Sequence, residues 1–147
     1  VQAMREQGHK LAEVSCLAGR ADTFDRKRHF DISVNLMGLM AQYARRNGVD
    51  RLLVAVHPRH AKFYVHFYGF QTFGELRSYD TVNGNPAVGC VHDFAETDRT
   101  GYPLRAQVYG VQYPLWELDA QPMSRAERGF FALAAEFAGH SCVPAAA

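Results

Sequence analysis

The stretch RLLVAVHPRHAKFYVHFYGF, running from Arg51 to Phe70, decides the fold. Leu52 to Val56 is a continuous apolar run, the pattern of a strand covered on both faces. His57-Pro58 breaks the run, because proline pushes the residue before it out of the helical region. Arg59 to Tyr68 then has the spacing of a short, aromatic-rich helix, and Gly69 ends it. A buried strand therefore feeds a helix. His60 and Tyr64 are four residues apart on one face of that helix, just past the strand's end.

Toward the N-terminus, a long helix is expected from Phe30 or Asp31. Ile32, Leu36, Leu39 and Tyr43 make one apolar stripe, with Phe30, Val34, Met37 and Ala41 beside it, so cover on more than one side is expected. Asp31 is the expected N-cap, Arg45 and Arg46 suit the last turn, and Asn47-Gly48 ends the helix. Gly19 to His29 reads as a polar, basic loop. Lys10 to Leu17 alternates as a strand, with Glu13 and Ser15 on one face. Residues 1–9 are polar and read as helical or frayed. Strand, helix, strand implies a parallel pair with a right-handed crossover.

Toward the C-terminus, Phe70 to Asp80 alternates, Asn83-Gly84-Asn85-Pro86 is a turn, and Ala87 to Val91 is a further strand, which makes an antiparallel hairpin. Glu96 to Gly101 reads as polar loop and Arg105 to Tyr113 as helical or extended. Ala126 to Phe137 reads as a terminal helix capped by Ser124. The expected class is α/β (α+β), a mixed sheet in β-α-β-α-β-β order with a C-terminal helix. One domain spans 1–147, with its core at 8–93 and an extension at 94–147.

The composition bounds the function. A chain of 147 residues, 48% hydrophobic, can bury a core of its own. A net charge of +1 argues against general affinity for nucleic acid or membrane surfaces. No apolar run approaches the ~20 residues of a membrane span. No basic-then-apolar leader opens the chain, and Cys16, Cys90 and Cys142 are odd in number and widely spaced. Both point to a cytoplasmic protein with reduced thiols rather than a disulfide framework or zinc site. Cys16 and Cys90 fall in strand patterns as small buried hydrophobes. The first residue is Val rather than Met, so a processed or truncated start is expected.

Ligands of open α/β sheets bind past the carboxyl ends of parallel strands. The basic loop with Arg26, Lys27, Arg28 and His29 lies at one such end and leads into a helix N-terminus, a setting that favours an anion such as a phosphate. The same residues also read as a solvated surface loop, and Asp31 competes with a phosphate there. Glu13 is a carboxylate on an otherwise apolar strand. Half-buried, it suits a general base; facing solvent, it is an ordinary strand residue. Ser15 shares its face and could touch substrate. Tyr64 could protonate a leaving group or simply pack the core. The seven histidines are scattered and no metal-binding spacing stands out.

Strand with Glu13, basic loop, long helix, apolar strand, then HPRHAKFYVHFYGF and a hairpin resembles the second half of the GNAT acyltransferase fold. Phe63-Tyr64 followed by Gly69-Phe70 is similar to that family's helix motif. LAEVSCLA, HPRHAKFY and the NGNPAV turn resemble the N-acyl amino acid synthase branch, which makes products such as N-acyltyrosine and neighbours the acyl-homoserine-lactone synthases. The resemblance covers about residues 8–93. It implies transfer of a long-chain acyl group from a phosphopantetheine thioester, on an acyl carrier protein or CoA, to the amine of an amino acid. Glu13 would accept the amine proton and Tyr64 would protonate the leaving thiolate. Ser15 and His60 would touch substrate, and Arg26, Lys27, Arg28 and His29 would hold the pantetheine phosphate. No metal or permanently bound cofactor is implied.

Two residue patterns refine this. The glycine-bearing pyrophosphate loop of GNAT enzymes is absent, since His29 and Asp31 stand where glycines would sit. That favours a carrier protein, with its single phosphate, over CoA. Glu13-Val14-Ser15 is followed by Cys16 where the lactone synthases have Arg, which argues against a lactone product. The resemblance also places the family's N-terminal half outside these residues, so exposed sheet edges and a homodimer are expected. The alternative is a non-catalytic module of the same fold that binds an acyl carrier or a partner protein.

Overall fold

The computed structural model describes residues 1–14, 25–79, 84–119, 124–130 and 132, with the backbone alone for Arg26 and Tyr79. In chain order the elements are α1 (Gln2–Glu6), β1 (Leu11–Val14), α2 (Arg26–Arg46), β2 (Arg51–Val56), α3 (Pro58–Tyr68), β3 (Gln71–Tyr79), β4 (Asn85–Asp93), α4 (Phe94–Thr100), α5 (Arg105–Val108) and α6 (Leu115–Leu118). The strands form a mixed α/β sheet of order β1-β2-β4-β3. β1 and β2 are parallel, and both other pairs are antiparallel. Parallel neighbours need a long connection, which α2 provides.

Side chains of Lys10 and Asp50 set where β1 meets β2. The Asp50 carboxylate accepts from the Lys10 backbone N–H at 2.6 Å, and the Lys10 carbonyl accepts from the Asp50 and Arg51 N–H groups at 2.8 and 3.3 Å. The Lys10 ammonium donates to the Asn47 carbonyl at the end of α2. This places Glu13 opposite Leu53 and Val14 opposite Val54.

Strand side chains alternate between faces. Ala12, Val14, Leu52, Val54, Val88, Cys90 and His92 lie on one face, and all but His92 belong to the apolar core or pack against it with residues of α2 and α3. Leu52 and Cys90 are 2% and 0% exposed. Leu11, Glu13, Leu53, Ala55, Gly89 and Val91 lie on the other face. Burial of β2 on both faces does not hold: Ala55 is exposed and Leu53 only half-buried. Cover comes from the helix side.

The helices depart from expectation in three places. α2 begins at Arg26 rather than at Phe30 or Asp31, with Asp25 as its cap. The Asp25 carboxylate accepts from the Arg28 N–H at 2.8 Å. The added first turn is polar, so it carries no apolar periodicity. Second, α2 buries Val34, Met37, Ala41 and Ala44, while Ile32, Leu36 and Tyr43 stay exposed, so the neighbouring stripe is not covered. Third, residues 96–100 are helix rather than loop. Asp93 caps α4 by accepting from the Glu96 N–H at 3.0 Å.

Arg45 ties the C-terminal part of the chain to α2. Its guanidinium pairs with both carboxylate oxygens of Asp98 at 2.8 and 2.6 Å, and its Nε donates to the Tyr109 hydroxyl at 2.7 Å. Gln42 donates to the Val111 carbonyl. Beyond α6, residues 125–130 are helical. Ser124 caps them reciprocally with Glu127, as its sequence position predicts.

Candidate active site

The parallel pair β1–β2 runs toward the N-termini of α2 and α3. α3 starts cleanly because Pro58 fills its first position, where no N–H is needed, and the His57 ring accepts from the Arg59 N–H at 3.3 Å. It stops because Gly69 adopts φ 68° and turns its N–H back to the Tyr64 carbonyl. The Phe70 N–H meets the same carbonyl at 3.3 Å. Tyr64 is thus fixed one turn before the end of a short, well-capped helix.

The Tyr64 ring is half-buried. Its centroid is 5.5 Å from Phe70, edge-on, 6.1 Å from Phe63 and 6.2 Å from Tyr68. Burial raises its pKa above the ordinary tyrosine value, and nearby Tyr68 and Cys90 add to the effect. The phenol is protonated at neutral pH, as an ordinary tyrosine is, so it has a proton to give, although burial makes it a weaker acid. His60, one turn earlier, is exposed, and its Nε2 accepts from the Arg59 Nε at 2.9 Å.

Glu13 is exposed, so the half-buried setting does not hold for it. Its register with Leu53 puts it on the sheet face away from α2 and α3, whereas Tyr64 lies on the helix side near Cys90. Cys90 pairs with Val54, one residue beyond Leu53. The carboxylate and the phenol therefore stand at nearly the same height on opposite faces of the sheet. Lys27, Arg28 and His29 form the first turn of α2 together with Arg26, whose side chain lies outside the described residues, as does all of Ser15. Cations at the positive end of a helix dipole are unfavourable by themselves, and an anion relieves this. Among the described residues, no group of His, Cys, Asp or Glu is arranged to hold a metal ion, and no helix is long and apolar enough to cross a membrane.

Sequence spacing gives no sign of the buried histidine behind α3. His92 is 4% exposed, with Nδ1 2.9 Å from the Tyr68 carbonyl and Nε2 3.2 Å from the Thr97 hydroxyl. Burial lowers its pKa, with the Tyr68 carbonyl opposing and the Arg45 charge adding to the drop. A neutral ring donates from Nδ1 to the Tyr68 carbonyl, while the Thr97 hydroxyl beside Nε2 gives its own proton to the Asp93 carbonyl at 2.8 Å. His92 holds the end of α3 against β4, and so supports Tyr64 from one turn away.

The family model for the N-acyl amino acid synthase FeeM matches residues 1–93, ending on the last residue of β4. The chain belongs to the FeeM family. Among solved structures, FeeM itself, an N-acyl amino acid synthase from uncultured soil microbes, is similar at 30% sequence identity and a TM-score of 0.58. The likeness covers 70% of this chain and 53% of FeeM, so the chain spans about half the length of that relative. The mixed α/β sheet is thus a GNAT-like fold shared with FeeM. No curated protein matches the chain.

Proposed function

We propose that this FeeM-family chain carries the donor side of an N-acyl amino acid synthase of the GNAT superfamily, akin to the acyl-homoserine-lactone synthases. It would transfer a long-chain acyl group from an acyl carrier protein or CoA thioester to an amino acid's amine. The observation that carries this reading is the placement of a protonated, half-buried Tyr64 behind the β1–β2 pair and Glu13 in front of it, within the region matched by the family.

In this reading the amine approaches on the outer face. As its nitrogen bonds to the thioester carbon, Glu13 takes up its proton, directly or through a water. The carbonyl oxygen becomes an oxyanion that strand N–H groups stabilise. The carbon–sulfur bond then breaks, and Tyr64 gives its proton to the departing thiolate. Amide and thiol are the products, and solvent returns the proton from Glu13 to Tyr64. Arg26, Lys27, Arg28 and His29 hold the pantetheine phosphate at the start of α2, and Ser15 and His60 flank the substrate.

Thiol release from a long-chain acyl-CoA and an acyl carrier protein thioester, each with an amino acid present, tests the proposal. Glu13→Gln and Tyr64→Phe should each lower turnover by about tenfold or more, the scale of general acid–base contributions. Unchanged rates in both variants would remove these roles. No thiol release from the parent chain with either donor would favour a carrier-binding module instead.

A further inference from the structure

The outer face of the sheet carries a feature that the transfer reading does not use. Ala55 on β2 pairs with Gly89 on β4, and Gly89 pairs with Phe73 on β3. All three point away from α2 and α3. Together with Ala87 they border a trough of about 420 Å³, and Glu75 and Arg77 also line it. Larger side chains at positions 55 and 87 would fill it. Gly89 is held small by its neighbour: a Cβ there would come within 2.9 Å of the Phe73 ring. The trough therefore depends on three small residues standing side by side, with one aromatic as its wall.

Register also gives its relation to Glu13. Leu53 is Glu13's partner, and Ala55 lies two residues further along the same face. Strand spacings place Ala55 about 8 Å and Gly89 about 12 Å from the Glu13 backbone. An amine at the Glu13 carboxylate, bearing a side chain of leucine to phenylalanine length, reaches the floor of the trough. The reading above brings the amine to this outer face, so the acceptor is the occupant that the trough takes.

Resting on that reading, we propose that the trough is the subsite for the acceptor's side chain, with Ala55 and Gly89 setting its size and Phe73 its wall. The test uses the full chain with L-phenylalanine and glycine as acceptors. Ala55 is exposed, so the strand accommodates Ala55→Leu. This variant should raise the KM for phenylalanine by about tenfold or more, the scale on which a side-chain pocket discriminates by size. Its kcat, its KM for the thioester and its KM for glycine should stay as in the parent. Phe73→Ala should lower the preference for phenylalanine over glycine.

Binding is read separately by saturation transfer from protein to phenylalanine in NMR, without any donor. If the parent binds phenylalanine and Ala55→Leu does not, the subsite stands even where no thiol is released, and only the transfer reading fails. If the parent binds no phenylalanine, or if Ala55→Leu affects phenylalanine and glycine alike or neither, the subsite is wrong.

Discussion

Asp93 ends β4, caps α4 and pairs with Arg51, so its replacement separates two effects. Its Oδ1 accepts from the Glu96 N–H at 3.0 Å, and its Oδ2 accepts from the Arg51 Nε at 2.6 Å. Both side chains of the ion pair are about a fifth exposed. Loss of a cap costs about 1 kcal/mol. Breaking an ion pair that lies between the exposed and the buried extremes costs about 2 kcal/mol. Asp93→Ala should therefore lose about 3 kcal/mol. Asp93→Asn keeps an oxygen for Glu96 and should lose about 2 kcal/mol. Urea unfolding followed by circular dichroism at pH 7 measures both, and thermal midpoints should fall by roughly 2–4 °C per kcal/mol. The pH dependence gives a second check. Burial works to raise the Asp93 pKa, but the Glu96 N–H and Arg51 outweigh it and hold the carboxyl below its ordinary value. A depressed folded pKa stabilises above the unfolded value of about 3.9, and the stabilisation is lost as pH falls through the folded value. The gap between parent and Asp93→Asn should therefore close on acidification below about pH 4. An Asn variant as stable as the parent at neutral pH, or a gap that widens in acid, would refute the assignment.

Gly69→Ala should destabilise by about 1–2 kcal/mol, because φ 68° is costly for any residue with a Cβ and the new methyl would lie 3.1 Å from Thr97 and Tyr102. A melting temperature equal to the parent's would show that α3 does not need this cap. His92 titrates in the opposite sense to a salt-bridged histidine. Its folded pKa is lowered, so its contribution is complete above the unfolded value of about 6.5 and is lost as pH falls toward the folded one. His92→Gln should flatten this part of the stability–pH curve; an unchanged slope would assign it to other groups.

The β2–α3–Gly69 unit is legible in the sequence because three independent signals agree on it: an apolar run, proline at the break and glycine at the stop. The α2 start is not, since Arg26 to His29 are polar and the cap that starts the turn is Asp25, which accepts from the Arg28 and His29 N–H groups. α4 is short and polar, yet Asp93-Phe94-Ala95-Glu96 has the spacing of a cap and could have revealed it. Glu13 and Tyr64 are visible as candidates, whereas their placement on opposite faces is not, because it depends on register. The trough is hidden for the same reason. Ala55 and Gly89 are 34 positions apart in the chain, an ordinary strand alanine and a strand glycine, until β4 sets them side by side.

β4 comes last of the four described strands but lies between β2 and β3 in the sheet. As the chain leaves the ribosome, β3 emerges before its hydrogen-bonding neighbour exists, and β2 has an open edge waiting for the same segment. Local hairpin closure and long-range docking onto β2 then fall to one stretch, Asn85–Asp93. The outer face that sets Ala55 beside Gly89 exists only once β4 inserts, whereas the β1–β2 pair that separates Glu13 from Tyr64 is set by its own register.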